Sequence, residues 1–244
     1  MDMSDKVLGA ESRFVMGRVM PRDFLKAVGE YLDQVAPARK KEMIDAIKAR
    51  AEELVDADED LAVDAAGTGA MALGAVVLAS FETLLPQFDG DERRTILLLQ
   101  HAMGPILRRP YELMFERLSK KDRPLDAIHR ACSGTKGIYG AGWDIDYERP
   151  KSGLFEMKVH RCLWRDFFTR HDAPLVNTVM CAWDTNWMRA IDPAVSGLRA
   201  ERTALLSLGD SQCRFAVEET DDPLHGYTDA LDTRFMDARE ERFE

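Results

Sequence analysis

The stretch "LFEMKVHRC" (residues 154–162) decides the fold. Leu154, Glu156, Lys158 and His160 alternate with Phe155, Met157, Val159 and Arg161. That two-residue period belongs to a strand with one apolar and one polar face. Downstream, "LRAERTALLSLGDSQCRFAV" (198–217) reads as strand, Gly209-Asp210 turn, strand, a β-hairpin. Upstream of residue 153 the apolar period is that of helices instead. The switch predicts an α+β fold, a helical N-terminal half packed on a small antiparallel sheet made from Leu154–Cys162 and Ala200–Val217.

Working back toward the N-terminus, Phe24, Leu25, Val28, Tyr31, Leu32 and Val35 recur at three and four, and Pro37 ends that helix. "ARKKEMIDAIKARAEELV" then places Met43, Ile44, Ile47 and Leu54 on one face. "AAGTGAMALGAVVLASF" (65–81) is uncharged, yet falls short of the about 20 residues a membrane span needs. Rich in Ala and Gly and flanked by Asp64 and Glu82, it reads as a buried, closely packed helix. Gly67, Gly69 and Gly74 lack the spacing and the preceding strand of a dinucleotide fingerprint. The run from Asp91 to Lys121 reads as helix, kinked or divided at Pro105 and Pro110. His101 in it has no His or Cys partner at ligand spacing and reads as a packed or capping residue.

"SGTKGIYGAGWDIDYERPKSG" (133–153) carries five glycines and few helix formers, so it reads as a loop. Gly134 and Lys136 do not form a phosphate-binding loop. Cys132, just before it, reads as a structural thiol with a ligand role left open. Past the first strand, Asp172 reads as an N-cap and Pro174 as the first turn of a helix to about residue 188. The organisation expected is a helical region at 1–130, a Gly-rich loop at 131–152, an α+β cysteine-containing core at 153–220, and a charged tail or peripheral helix at 221–244.

The net charge of −10 over 244 residues argues against nucleic acid and against an anionic membrane surface as partners. The N-terminal "MDMSDKVLGAESRF" lacks the basic-then-apolar pattern of a secretory signal. A cytoplasmic protein with reduced thiols is therefore expected, and four cysteines make no disulfide scaffold.

Three of those cysteines, Cys162, Cys181 and Cys213, fall in the strand-containing segment. On a helical wheel Val176, Val179, Met180, Trp183 and Trp187 form an apolar stripe, while Cys181 and Asp184 share a neighbouring face with Asn177 and Met188. A thiol and a carboxylate at i and i+3 can address one object, or they can be an edge-of-core cysteine beside a solvated aspartate. If the strands are neighbours, the three sulfurs converge beneath that helix. Their spacing, C-x₁₈-C-x₃₁-C, is not the compact pattern of a zinc knuckle. His160 and His171 bracket the segment, each a general base for a cysteine or a surface residue.

From about Phe155 to Glu219 the chain resembles the L-2-amino-thiazoline-4-carboxylic acid hydrolase family. The matching elements are Cys162 ending the first strand, the C-x-x-D helix of Cys181 and Asp184, and a hairpin carrying Arg202, Thr203, Leu206, Gly209, Asp210, Cys213 and Phe215. The resemblance implies hydrolysis of a cyclic amidine-like C–N bond in a small five-membered ring. Such a hairpin is also similar to those of vinyl-reductase-type small-molecule-binding domains and plant carotenoid isomerases, which keeps a non-hydrolytic role open.

The leading expectation is a cysteine-dependent hydrolase of a thiazoline- or hydantoin-like heterocycle. Cys181 is its nucleophile, Asp184 its acid or base, and Cys213 belongs to the same catalytic group, with Arg202, Thr203, Asn177 and His160 binding substrate. A second reading makes Cys162, Cys181 and Cys213 the ligands of zinc or an iron–sulfur cluster, with Asp184 as base. A third is a non-enzymatic small-molecule-binding or redox-sensing module. The expected partner is a small-molecule substrate, and a homo-oligomer is compatible with the sequence.

Overall fold

The computed structural model describes residues 3–224 and 226–235. Along the chain run α1 (Met3–Phe14), α2 (Met20–Val35), α3 (Lys40–Ala57), α4 (Ala65–Leu84), α5 (Glu92–Met103), α6 (Arg108–Ser119), α7 (Pro124–Ser133) and the single turn α8 (Lys136–Tyr139). Strands β1 (Asp144–Lys151) and β2 (Leu154–Arg161) follow, then α9 (Leu163–Arg170), α10 (Asn177–Asp184) and α11 (Pro193–Ser196). The chain closes with β3 (Leu198–Ala204), β4 (Cys213–Glu219) and the short β5 (Thr228–Asp229). These elements form two compact units interleaved in sequence. The first takes the chain to Ile106 with Gly137–Gly142 and Leu163–Trp183. The second takes Leu107–Lys136, Trp143–Cys162 and the chain from Asp184 onward.

The first unit is organised by α4. Asp64 caps it, accepting the Gly67 N–H at 2.7 Å. Fifteen of its twenty residues are buried, because α1, α3 and α9 all pack on it. Gly69 is where α1 comes closest: a Cβ there would sit 2.7 Å from the Arg13 Cα. Beside it, the Trp164 indole N–H of α9 donates to the Ala70 carbonyl at 2.9 Å. Among the described residues, Ala65–Phe88 is the one helix long and apolar enough to cross a membrane, and 72% of its apolar window lies inside the protein. The ends of α3 and α9 are tied by charge: Asp58, buried, meets His171 Nε2 at 2.6 Å and Arg170 Nη1 at 3.0 Å.

The second unit is built on a five-stranded sheet in the order β1-β2-β4-β3-β5. Four strands are antiparallel, and β5 joins β3 in parallel, so the sheet is mixed rather than purely antiparallel. The register sorts side chains by parity. Met157 stands opposite Tyr147 and Phe215, Val159 opposite Cys213, and Arg202 opposite Phe215, which makes one buried face. Helix α7 crosses that face over β1, β2 and β4. The other face carries an ionic lattice in which Lys158 bridges Glu148 and Glu156, and Arg214 bridges Glu156 and Glu201.

Five expectations change. Within the stretch expected as loop at 131–152, residues 144–151 form β1; its strand pattern is carried by half-buried Ile145 and Tyr147 between exposed acids, on a sheet edge. The turn at Gly209-Asp210 is wider than a hairpin turn: β3 ends at Ala204 and a 3₁₀ turn spans Leu206–Leu208 before β4. Asp210 belongs to that loop, accepting the Leu205 N–H at 2.7 Å. Asp172 is not an N-cap; it takes a left-handed φ of 55°, which Asp tolerates, where α9 ends. The expected helix at 173–188 is a 3₁₀ turn (Pro174–Val176) leading into the shorter α10. Of the expected tail, Thr228–Asp229 is β5 and Leu231–Phe235 a π-helical turn, while 236–244 lie outside the described residues.

Candidate functional site

Asp184, the last residue of α10, opens the final segment of the second unit. Its carboxylate acts electrostatically on three groups of that unit: Tyr111 of α6, Cys132 of α7 and Tyr147 of β1. The local sequence explains each placement. Leu125, Ile128 and Cys132 recur at three and four on the buried stripe of α7. Tyr147 follows Ile145 by two on β1 and faces the same way, opposite Met157. Tyr111 lies in the first turn of α6.

Burial, and then the Asp184 charge, push the Cys132 thiol from 9.0 up to about 12. Burial is also the main cause that raises Tyr111 from 10.0 to about 12, with Asp184 and Cys132 adding to it. Tyr147 is raised by burial first; its hydrogen bond to Thr135 opposes the rise, and Cys132 and Asp184 add to it. At neutral pH the thiol and both phenols therefore keep their protons around Asp184. A protonated thiol is a poor nucleophile. The chemistry this group offers is proton exchange at a carboxylate and hydrogen bonding from phenols.

Thr135 links α7 to Tyr147. The Thr135 hydroxyl donates to the Cys132 carbonyl at 2.7 Å. It also lies 3.2 Å from the Tyr147 hydroxyl. Across that second contact either oxygen can be the donor.

The residues expected from sequence fall in part in each unit. Cys181 is buried one turn before Asp184 on α10 and belongs to the first unit. Cys162 follows β2 and is half-buried. Cys213, buried at the start of β4, receives the Leu206 N–H on its sulfur at 3.3 Å and so closes the loop after β3. Among the described residues no three or more His, Cys, Asp and Glu side chains are grouped to hold a metal.

Arg202 faces inward and is spent on buried Asp229, at 2.8 and 2.7 Å. Thr203, next along β3, is exposed on the opposite face and bonds Arg214 at 3.0 Å. His160 stands on that outer face too, 3.1 Å from Asp146. His171 is occupied by Asp58 in the first unit, and Asn177 is buried there. Sequence reasoning singled out Asp184 and missed Tyr111, Thr135 and Tyr147, while it read Cys132 as structural. The available signal was periodicity, since Cys132 continues the apolar stripe of α7 and Tyr147 alternates with Ile145.

In the mixed-sheet unit a half-buried carboxylate, Asp184, thus acts on two phenols that keep their protons. The sequence model of L-2-amino-thiazoline-4-carboxylic acid hydrolase matches residues 69–217, more than half of the chain, and the chain belongs to that family. The match takes in Tyr111, Cys132, Tyr147, Asp184 and Arg202, and ends before Asp229. No curated protein and no solved structure gives a significant match.

Proposed function

We propose that this protein hydrolyses a small nitrogen-containing ring of the thiazoline or hydantoin kind, with Asp184 handling the proton. The observation that carries the reading is the position of Asp184 among Tyr111, Cys132 and Tyr147. Family membership supports hydrolysis. In the first step a water oxygen bonds to the ring carbon between the heteroatoms, and its proton passes to the Asp184 carboxylate. In the second, the bond from that carbon to a ring heteroatom breaks, and the heteroatom takes the proton back from Asp184. The phenols of Tyr111 and Tyr147 hold the ring by hydrogen bonds, and Cys132 fills the apolar side as a neutral thiol.

Incubation of the purified protein with 2-amino-thiazoline-4-carboxylate and with hydantoin, followed by mass spectrometry for a product one water heavier, tests this. Turnover abolished by Asp184→Asn supports the reading. Turnover unaffected by that change removes it.

The competing reading makes Cys181 the attacking group, forming a covalent adduct that water then releases. Its support is the i, i+3 spacing of Cys181 and Asp184 on α10. Trapping of a mass adduct on Cys181 during turnover would decide for it. Absence of any turnover would shift the weight to a binding module.

A further inference from the structure

We infer that the cavity at the β1–β2 end of the sheet binds a small acyclic zwitterion, its carboxylate held by Arg123 and Arg149 and its ammonium by Glu219 and Asp221. The cavity measures about 660 Å³, within the range of about 300–1,000 Å³ that small-molecule sites occupy. Its walls come from the second unit alone: the turn into α7, the end of β1 with the Ser152-Gly153 turn, the approach to β3, and the end of β4. Tyr111, Cys132, Tyr147 and Asp184 do not line it, so this is a second site, independent of the ring chemistry.

The charges in the cavity are sorted. The buried Asp126 carboxylate accepts from Arg149 Nη1 on one oxygen and from Arg123 Nη2 on the other, the latter at 2.5 Å. Two guanidinium charges thus share one carboxylate, and a positive charge is left over. Each guanidinium keeps N–H donors beyond the nitrogen it gives to Asp126, and no other acceptor meets either of them among the described residues. Glu219 and Asp221 are exposed, and neither has an ion-pair partner among the described residues. Backbone sets the place of Glu219. Its N–H donates to the Gly153 carbonyl at 2.8 Å, and its carboxylate takes the space a side chain at Gly153 would need, a Cβ there coming 2.7 Å from Oε2. The cavity therefore holds a positive cluster and two acids that do not neutralise each other. A lone anion gains Arg123 and Arg149 and is repelled by Glu219 and Asp221, and a lone cation meets the reverse. A molecule carrying both charges gains at both ends. No aromatic side chain lines the cavity to stack on a ring, which favours an open chain.

The test is calorimetric titration of the full chain with glycine, β-alanine and γ-aminobutyrate, which set the two charges progressively further apart, and with acetate and methylamine as their halves. At least one of the three amino acids is expected to bind, about tenfold or more tightly than either half. Glu219→Gln keeps size and removes the charge at an exposed position, and is expected to weaken that binding by about tenfold or more, the value of a hydrogen bond to a charged group. Arg149→Met should do the same. Arg149→Lys keeps the charge but loses the planar fork, and should fall between wild type and Arg149→Met. Melting curves show whether the arginine variants are folded, and Glu219→Gln decides if they are not. Asp184→Asn should bind the amino acid as wild type does. No binding of any of the three, acetate or methylamine bound as tightly as the amino acid, or unchanged affinity in Glu219→Gln overturns the inference. Loss of binding in Asp184→Asn would put the ligand at that group and overturns it too.

Discussion

Arg202 and Asp229 meet in a two-point ion pair, Nε at 2.8 Å and Nη2 at 2.7 Å, with both side chains almost wholly out of solvent. Asp229 also accepts from the Tyr227 hydroxyl and from the Leu231 N–H. Arg202 further lies 5.6 Å from the centre of the Phe215 ring. The pair is the side-chain half of the β3–β5 pairing, whose backbone register sets Arg202 opposite Asp229.

Removing one partner of such a pair leaves a buried charge alone. Arg202→Met is expected to destabilise the protein by about 3–5 kcal/mol in urea unfolding. Arg202→Met with Asp229→Leu should recover part of that loss, because the orphaned charge goes too. A loss below about 1 kcal/mol for the single change would mean that β5 does not hold its place through this pair.

Gly69 and Gly74 lie on one helix and should respond oppositely to alanine. At Gly69 a methyl would sit 2.7 Å from the Arg13 Cα and 3.0 Å from its carbonyl oxygen, which are backbone atoms of α1. Gly69→Ala is expected to cost about 1–3 kcal/mol by forcing α1 away. At Gly74 the nearest atoms are the rings of Phe167 and Trp164, both at 3.3 Å, which can shift. There the gain in helix propensity, up to about 1 kcal/mol, offsets the crowding. Melting temperatures of the two variants check the contrast.

Cys132 gives the protein a stability that depends on alkaline pH. In the folded protein the thiol holds its proton up to about 12 against an ordinary 9.0. The folded state thus binds that proton more tightly than the unfolded chain. The contribution is fully present below about pH 9 and is lost as pH rises toward 12, at no more than about 1.4 kcal/mol per pH unit. Tyr111, raised from 10.0 to about 12, adds to the decline at the upper end of this range. Cys132→Ala should flatten the fall in unfolding free energy between pH 8.5 and pH 10.5. An unchanged slope would show that the thiol titrates alike in both states.

The helices and the inner sheet strands were legible in the sequence because their periods are strong: Phe155, Met157 and Val159 alternate, and α4 is uncharged throughout. β1 was not legible. Its glycine-rich approach outweighed Ile145 and Tyr147, and an edge strand with one wet face needs few apolar residues. The outward turn of Thr203 was implied by the sequence, since neighbours on a strand face opposite ways and Arg202 faces in. Spacing along the chain carried no information on which cysteine meets Asp184. Cys132 lies 52 positions earlier, and only the packing of α7 on the sheet brings it there.

The contest between Asp184 and Cys181 is settled by kinetics on conservative variants. Asp184→Asn keeps size and shape but can no longer accept a proton, so kcat/KM for ring opening is expected to fall about 10²–10⁴-fold, the usual range for a lost general acid–base group. Tyr111→Phe removes one hydroxyl from the same group and should cost about tenfold, one hydrogen bond. Cys181→Ser exchanges sulfur for oxygen at a buried position and should stay within a few-fold of wild type if water is the nucleophile. Cys132→Ser should likewise stay close, because the thiol is protonated at neutral pH and serves as filling. Full activity in Asp184→Asn together with an inactive Cys181→Ser would reverse the assignment: the attacking atom would then be the sulfur of α10, and the phenols around Asp184 would be scaffolding for the second unit's core.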